Sequence, residues 1–496
     1  MSVKRNTLYN LTGSIVPMAV SIITVPLYLH KIGEARYGVL AIVWLFLGYF
    51  GLFDMGLARA TANRIAQFKN RPGVEREHVF WTAICLNAGF GIVGGAILYY
   101  AAGIILGHYF KMSFDLRQEV LTTLPWLALT VPIATVNGVL LGALEGREHF
   151  GAINILKVTG SMLFNAFPLI IAYVHGPDLN WLIPAAILAR IFSMLPVCVA
   201  VALLLPLRGS FSFDSVHVRA LFSYGCWVTV NSALGPLFSS FDSFVIGSEI
   251  SASAVSTYTV PYRLIHRIQI LPAALASSLF PRFSSQTTDD AQCLGIRAAT
   301  SLAVLTVPIM VFATLIFYPF MVLWIGPDFA ARSSFVGEIL VLGTWMSSLA
   351  FIPYALLQGQ GKPRTVALLH LVETPFLLGG VWVGVHYGGI FGAACAMSIR
   401  DMVDSLSFFF LAKMLNPMSK ILLVSGAWIL ASLAVAHLAG NSLSYHLIAS
   451  VVLLFLSCAW VLRIEPIAQQ ALQSLRSRLV KRKTVDLLHT VQREIK

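Results

Sequence analysis

Three arginines, Arg190, Arg263 and Arg400, stand deep inside apolar stretches of the chain, and Arg267 follows Arg263 by one helical turn. An ionisable side chain facing hydrocarbon costs several kcal/mol, so such groups line a protein interior or a water-filled cavity. At about 1.5 Å of rise per residue, Arg190 and Arg263 each lie roughly 15 Å below the outer end of their stretch, and Arg400 about 17 Å. Arginine's planar fork donates paired hydrogen bonds to phosphate or pyrophosphate and stays charged at any working pH. The four together predict a substrate-binding cavity for an anionic headgroup, with His266 as a titratable neighbour. The competing reading is that each satisfies a buried acid: Asp401 and Asp404 follow Arg400, and Arg190 could pair across the bundle.

The acids in apolar stretches are Asp54, Asp242, Glu373, Asp401 and Asp404. Glu373 is near mid-depth, and Pro375 behind it removes a backbone donor and loosens the helix. Glu373 and Asp242, the latter about 9 Å below an outer end, are candidates to carry a proton or sodium ion. Pairing with an arginine, or capping a broken helix, is the other role open to them. Asp54 lies near an inner helix end with Arg59 and Arg64 close by; local pairing that fixes the helix end is the expected role, and closing an inner gate the sharper one. The six cysteines have no CxxC or His/Cys ligand spacing, so neither zinc nor a disulfide framework is expected, and no cofactor is called for.

The elements that must hold these side chains are membrane helices. The chain of 496 residues is 57% hydrophobic and 11% charged, with a mean hydropathy of +0.79, far from the roughly 25% charge of a soluble domain. Apolar runs of about 20 residues, enough to cross about 30 Å of hydrocarbon, recur from Leu8 to Leu462. They are continuous rather than alternating, so the fold is all-α and not an outer-membrane barrel. Fourteen spans are expected. Those that matter below are span 2 (37–58), span 7 (220–247), span 8 (253–280), span 10 (335–358), span 11 (365–386) and span 12 (389–412).

With the N-terminus inside, 25 of the 34 Lys and Arg residues fall on the inner side and 5 in outer loops, which places both termini in the cytoplasm. The net charge of +12 is thereby a topology signal, and nucleic acid need not be invoked. A weak internal echo pairs "LLGALEGREHFGAIN" with "LLQGQGKPRTVALLH" and sets Arg190 against Arg400. The expected organisation is an N-terminal lobe of spans 1–6 (1–206), a C-terminal lobe of spans 7–12 (207–413), an extra pair of spans (414–463) and a basic amphipathic tail (464–496). Leu472, Leu475 and Leu479 would lay that tail on anionic lipid.

The stretch "IITVPLYLHKIGEARYGVLA" leading into "LFDMGLARATANRIAQ" resembles the opening of polysaccharide flippases, the O-antigen and lipid-linked oligosaccharide translocases of the multidrug, oligosaccharidyl-lipid and polysaccharide exporter superfamily. The resemblance continues in "FDSFVIGSEISASAVSTYTVPYRL", "LPAALASSLFPRFS", "LWIGPDFA" and "LLQGQGKPR", covering spans 1 to 12. It implies a V-shaped transporter of two six-helix lobes with a central cationic cavity in a bacterial inner membrane. The cargo would be an isoprenoid lipid carrying a sugar repeat on pyrophosphate, moved outward by alternating access, with a polysaccharide polymerase or chain-length protein as a membrane partner. Helix 8 at Pro261 and Pro272, and helix 11 at Pro375, are the expected bending points. A peptidoglycan-precursor flippase shares this chemistry. A small-molecule exporter of the same superfamily would favour an acidic cavity. A membrane polymerase is disfavoured because no outer loop exceeds roughly fifteen residues on this span assignment, and "GQGK" is no phosphate loop, since Pro363 replaces the Ser/Thr.

Overall fold

The computed structural model describes residues 3–48, 54, 56–67, 73–147, 149–205, 240–466 and 469. The tail beyond 469, and span 7 as far as 239, lie outside the described residues. All regular structure described is helical: α1 (Val3–Gly48), α2 (Leu57–Gln67), α3 (Gly73–Ile104) with a π turn Ile105–Tyr109, α4 (Phe114–Gly146), α5 (Phe150–His175), α6 (Leu179–Leu204), α7 (Ala252–His266), α8 (Ile270–Ser285), α9 (Thr288–Trp324), α10 (Pro327–Gly359), α11 (Pro363–Leu411), α12 (Leu415–Ala439) and α13 (Leu443–Ile464). A further helical stretch runs over 240–249.

Ten of these helices are long and apolar enough to cross a membrane. Large apolar side chains stand exposed on them, Leu203, Leu323, Phe376, Tyr387 and Leu438 among them, as lipid-facing surfaces require. Hydroxyls within the apolar helices are satisfied locally by carbonyls one turn back, as in Thr306 to Leu302, Ser333 to Phe329 and Ser405 to Asp401.

Two of the ten are hairpins. Helix α1 breaks at Gly33, whose φ of 78° suits a residue without Cβ, and α11 breaks at Gly389 with φ 58°. In a straight helix Tyr28 and Trp44 would stand roughly 24 Å apart, yet their rings meet at 6.0 Å. In α11 the returning half packs backbone to backbone on the first, so that a Cβ on Gly384 would come within 2.5 Å of the Gly392 carbonyl. Spans 1 and 2, and spans 11 and 12, therefore join at single glycines.

Span 8 behaves differently. It is not one helix: α7 passes through a 3-10 turn, Arg267–Gln269, into α8. Pro272 explains the place, because it lacks the N–H that would bond the Ile268 carbonyl and its ring crowds that carbonyl. Pro261 and Pro375 lie inside continuous helix.

The chain forms two compact units, Met1–Thr259 and Val260–Lys496. The first is cored by Leu57 and Ile65 of α2, Val79 and Phe80 of α3, Val139 and Leu144 of α4 and Val197 and Val201 of α6. The upper end of α6 is fixed by charge: Glu119 of α4 accepts Arg36 Nε at 3.0 Å and also the Leu179 backbone N–H at 3.0 Å, while Arg36 reaches Asp178 at 3.0 Å. In the second unit Val307, Val311 and Leu315 of α9 pack on Ala436 of α12. The Trp345 indole donates to Thr306 Oγ1 at 3.2 Å, and His446 of α13 lies between the Leu315 and Gly440 carbonyls, 3.0 Å from each.

Candidate functional site

Arg190 sits eleven residues along α6, about 16 Å from its start. Its guanidinium lies 5.9 Å from the centre of the Phe164 ring, a cation–π placement. Both border a cavity of about 290 Å³ with Lys157, Asn137, Ser161 and Ser193, where α4, α5 and α6 meet. Two cations, an amide and two hydroxyls make a donor-rich lining, and no carboxylate is among the residues that form it. Such a lining suits an oxyanion.

In the second unit Arg400 again falls eleven residues past a helix start, here the Gly389 kink. It is bound differently: Nη1 meets Asp401 Oδ1 at 3.0 Å, and both side chains are largely buried. Arg400 borders a cavity of about 530 Å³ inside the α11 hairpin, mostly apolar, in which Arg400 and, from the opposite half, Glu373 are the charged lining residues. Arg263 is the eleventh residue beyond the start of α7 and is part-buried. Arg267 is exposed and opens the 3-10 turn, close enough for the two guanidiniums to repel. Gln269 at the end of that turn donates to Ser347 Oγ at 2.6 Å, anchoring it on α10.

The acids divide in the same way. Asp242 is 1% exposed; it accepts the Tyr258 hydroxyl at 2.7 Å and the Ser243 N–H at 2.6 Å, tying 240–249 to α7. Asp54 stands ahead of α2, its carboxylate 3.3 Å from the Ala58 N–H and its carbonyl 2.9 Å from the Leu57 N–H, the geometry of a helix cap. The Arg59 side chain lies outside the described residues.

Residues 32–333 match the family described as polysaccharide biosynthesis protein. The chain belongs to that family. It is 28% identical over 413 residues to a Shigella flexneri protein named "Putative O-antigen transporter", covering 82% of this chain and 96% of that one. Its fold is that of the MOP transporters. It is similar to an inward-facing multidrug resistance MATE family transporter (TM-score 0.67, 18% identity, 85% of this chain and 96% of the other). It is also similar to the lipid II flippase MurJ in an inward closed conformation (TM-score 0.70, 13% identity, 92% and 98%). Within this family member Arg190, Arg263 and Arg267 fall inside the matched stretch, whereas Glu373 and Arg400 lie beyond it.

Sequence reading missed three things in this family member. Lys157 counted as an inner-side charge, yet it reaches the Arg190 cavity because α5 begins at Phe150. Glu338 is absent from the acids expected in apolar stretches, but α10 starts at Pro327, which puts it eleven residues in and 4% exposed; "GPDF", a Gly-Pro start, was the available signal. Finally, His370 and Asp404 join Glu373: His370 Nδ1 is 3.9 Å from Glu373 Oε2 and 3.8 Å from Asp404 Oδ1. Those residues are 34 positions apart, and only the hairpin brings them together.

Proposed function

We propose that the protein translocates an isoprenoid-pyrophosphate-linked oligosaccharide from the cytoplasmic to the outer leaflet of a bacterial inner membrane by alternating access. Arg190, Arg263, Arg267 and Arg400 would contact the diphosphate in turn. The observation that carries this reading is the Arg190 and Lys157 cavity, a polar pocket in an apolar bundle whose lining includes no acid. Two cationic side chains converging on one cavity favour an anionic visitor. The name borne by the Shigella flexneri relative supports the same cargo class. On this reading fourteen spans make two lobes, 1–206 and 207–413, with an extra pair, and rocking of one lobe alternates access. Both termini are cytoplasmic, and a polymerase or chain-length protein receives the product. Glu373 or Asp242 would couple transport to a proton or sodium gradient.

A peptidoglycan-precursor flippase is the second reading, favoured by the fold match to MurJ. A cation exporter is disfavoured by the basic lining. The test is reconstitution in vesicles with fluorescent lipid-linked oligosaccharides of differing sugars, comparing wild type with Arg190→Ala, Arg263→Ala and Arg400→Ala. Flipping is expected to fall at least tenfold in Arg190→Ala with folding retained. If all three variants flip at the wild-type rate, the cationic route is wrong; if only peptidoglycan precursor is flipped, the second reading replaces the first.

A further inference from the structure

The α11 hairpin gathers Glu373, a candidate for ion coupling in the proposed transport, with two side chains that the transport reading leaves unused. His370 and Glu373 project from its first half and Asp404 from its second, and one donor atom from each lies within 4.8 Å of the others. Glu373 is 9% exposed and Asp404 7%. Neither Glu373 oxygen, nor Asp404 Oδ1, meets a hydrogen-bond donor among the described residues.

Distance separates the explanations. At 3.8 and 3.9 Å the imidazole nitrogen is too far from the two carboxylates for hydrogen bonds, which close at about 2.7–3.2 Å. Three donors held about 2.0–2.2 Å from one shared cation stand about 3.3–3.8 Å apart. The two imidazole–carboxylate distances thus match the spacing of ligands around an ion, and the Glu373 and Asp404 oxygens lie within 4.8 Å of each other.

Charge points the same way. Glu373, Asp401 and Asp404 bring three carboxyl groups to this pocket against one guanidinium, Arg400, which feels all three. A divalent cation held between crowded carboxylates relieves their mutual repulsion. Imidazole nitrogen with two carboxylate oxygens suits Mn²⁺, Zn²⁺ or Co²⁺; Mg²⁺ and Na⁺ prefer oxygen alone.

We propose that His370, Glu373 and Asp404 form a binding site for one divalent transition-metal ion, which clasps the two halves of α11. The hairpin cavity of about 530 Å³, which Glu373 borders, is the entry path. The site lies beyond the residues matched by the family model and holds whether or not the cargo reading does.

The experiment uses the full-length, tag-free protein, stripped with chelator and dialysed against Co²⁺ and, separately, Zn²⁺. One equivalent of metal is expected to bind wild type and to raise its thermal midpoint. The Co²⁺ visible spectrum should report mixed nitrogen and oxygen ligation. Glu373→Gln and Asp404→Asn, each nearly isosteric, should weaken binding at least tenfold and lose the midpoint shift; His370→Gln should also change the Co²⁺ spectrum. Two carboxylate variants guard against one failing to fold. Wild-type affinity in both variants, or no bound equivalent in wild type, overturns the proposal. So does stabilisation by Na⁺ or by acid alone, which would assign the pocket to sodium or to a proton pair. Because the readout is metal binding, failure of flipping in vesicles leaves this result interpretable, and the converse holds.

Discussion

The Arg190 side chain can be tested for the chemistry of its fork rather than its charge alone. Lysine keeps the charge but presents it as a point on a flexible stem, and loses both the paired donors and the flat contact with Phe164. Arg190→Lys should therefore bind diphosphate-linked cargo about 5- to 50-fold more weakly, roughly 1–2 kcal/mol for the lost bidentate geometry. Titration of purified protein with a fluorescent lipid-linked oligosaccharide reads this directly. Equal affinity in the two would mean that the pocket supplies only a field. A second residue with a readable energy is Tyr258, fully buried with its hydroxyl on the Asp242 carboxylate at 2.7 Å. Tyr258→Phe removes a donor from a buried charge, and should lower unfolding free energy by about 1.5–3 kcal/mol. Thermal denaturation in detergent is the measurement, and an unchanged midpoint would show that water or another donor replaces the hydroxyl.

At the scale of elements, the hairpins explain both what the sequence discloses and what it hides. Hydropathy placed the apolar runs because length and composition are local properties. It also placed the break between spans 11 and 12 beside Gly389, but not which of the three glycines in "HYGGIFG" takes the positive φ, which is a tertiary choice. The same blindness covers His370 and Asp404: two residues 34 positions apart read as unrelated until the hairpin folds. The offset of each arginine along its helix, by contrast, was legible: Arg190, Arg263 and Arg400 each follow a helix start or kink by the same eleven residues. The α11 hairpin makes its own prediction. Its halves touch at Gly384 and Gly392, where a side chain would meet a carbonyl within 2.5 Å, so Gly384→Leu should splay them. An overpacked contact costs about 1–3 kcal/mol, and the Glu373 and Asp404 carboxylates would separate with it. A fall in thermal midpoint is expected, whereas Gly380→Leu, where a Cβ meets nothing within 4 Å, should leave it unchanged. Equal effects at both glycines would show that the close approach does not hold the hairpin.

For the whole molecule, the orientation of the termini and the number of crossings are one question, because a chain that begins and ends on the same side must cross an even number of times. Helices α1 and α11 each fold back on themselves, so on the proposed topology the ten long helices among the described residues would supply twelve crossings before α7 and α8 are considered. The broken segment through Arg267–Gln269, with the stretch ending at 249 before it, would supply two more, or none if both dip in and return from one side. On the proposed topology the parity is even either way, and the 25-to-5 bias of Lys and Arg favours the cytoplasm as the shared side. Single cysteines introduced into a cysteine-free background, as Ser2→Cys, Asp115→Cys, Ser442→Cys and Lys496→Cys, make this testable in intact cells with a membrane-impermeant maleimide. The first and last should be protected until the cells are opened. Positions 115 and 442, which lie at the heads of α4 and α13, should label at once. Labelling of Lys496→Cys from outside, with Ser2→Cys protected, would require an odd number of crossings. One of the two hairpins, or the α7–α8 segment, would then have to be a single pass, and the positive charge on the C-terminal tail would no longer be read as an anchor to the cytoplasmic leaflet.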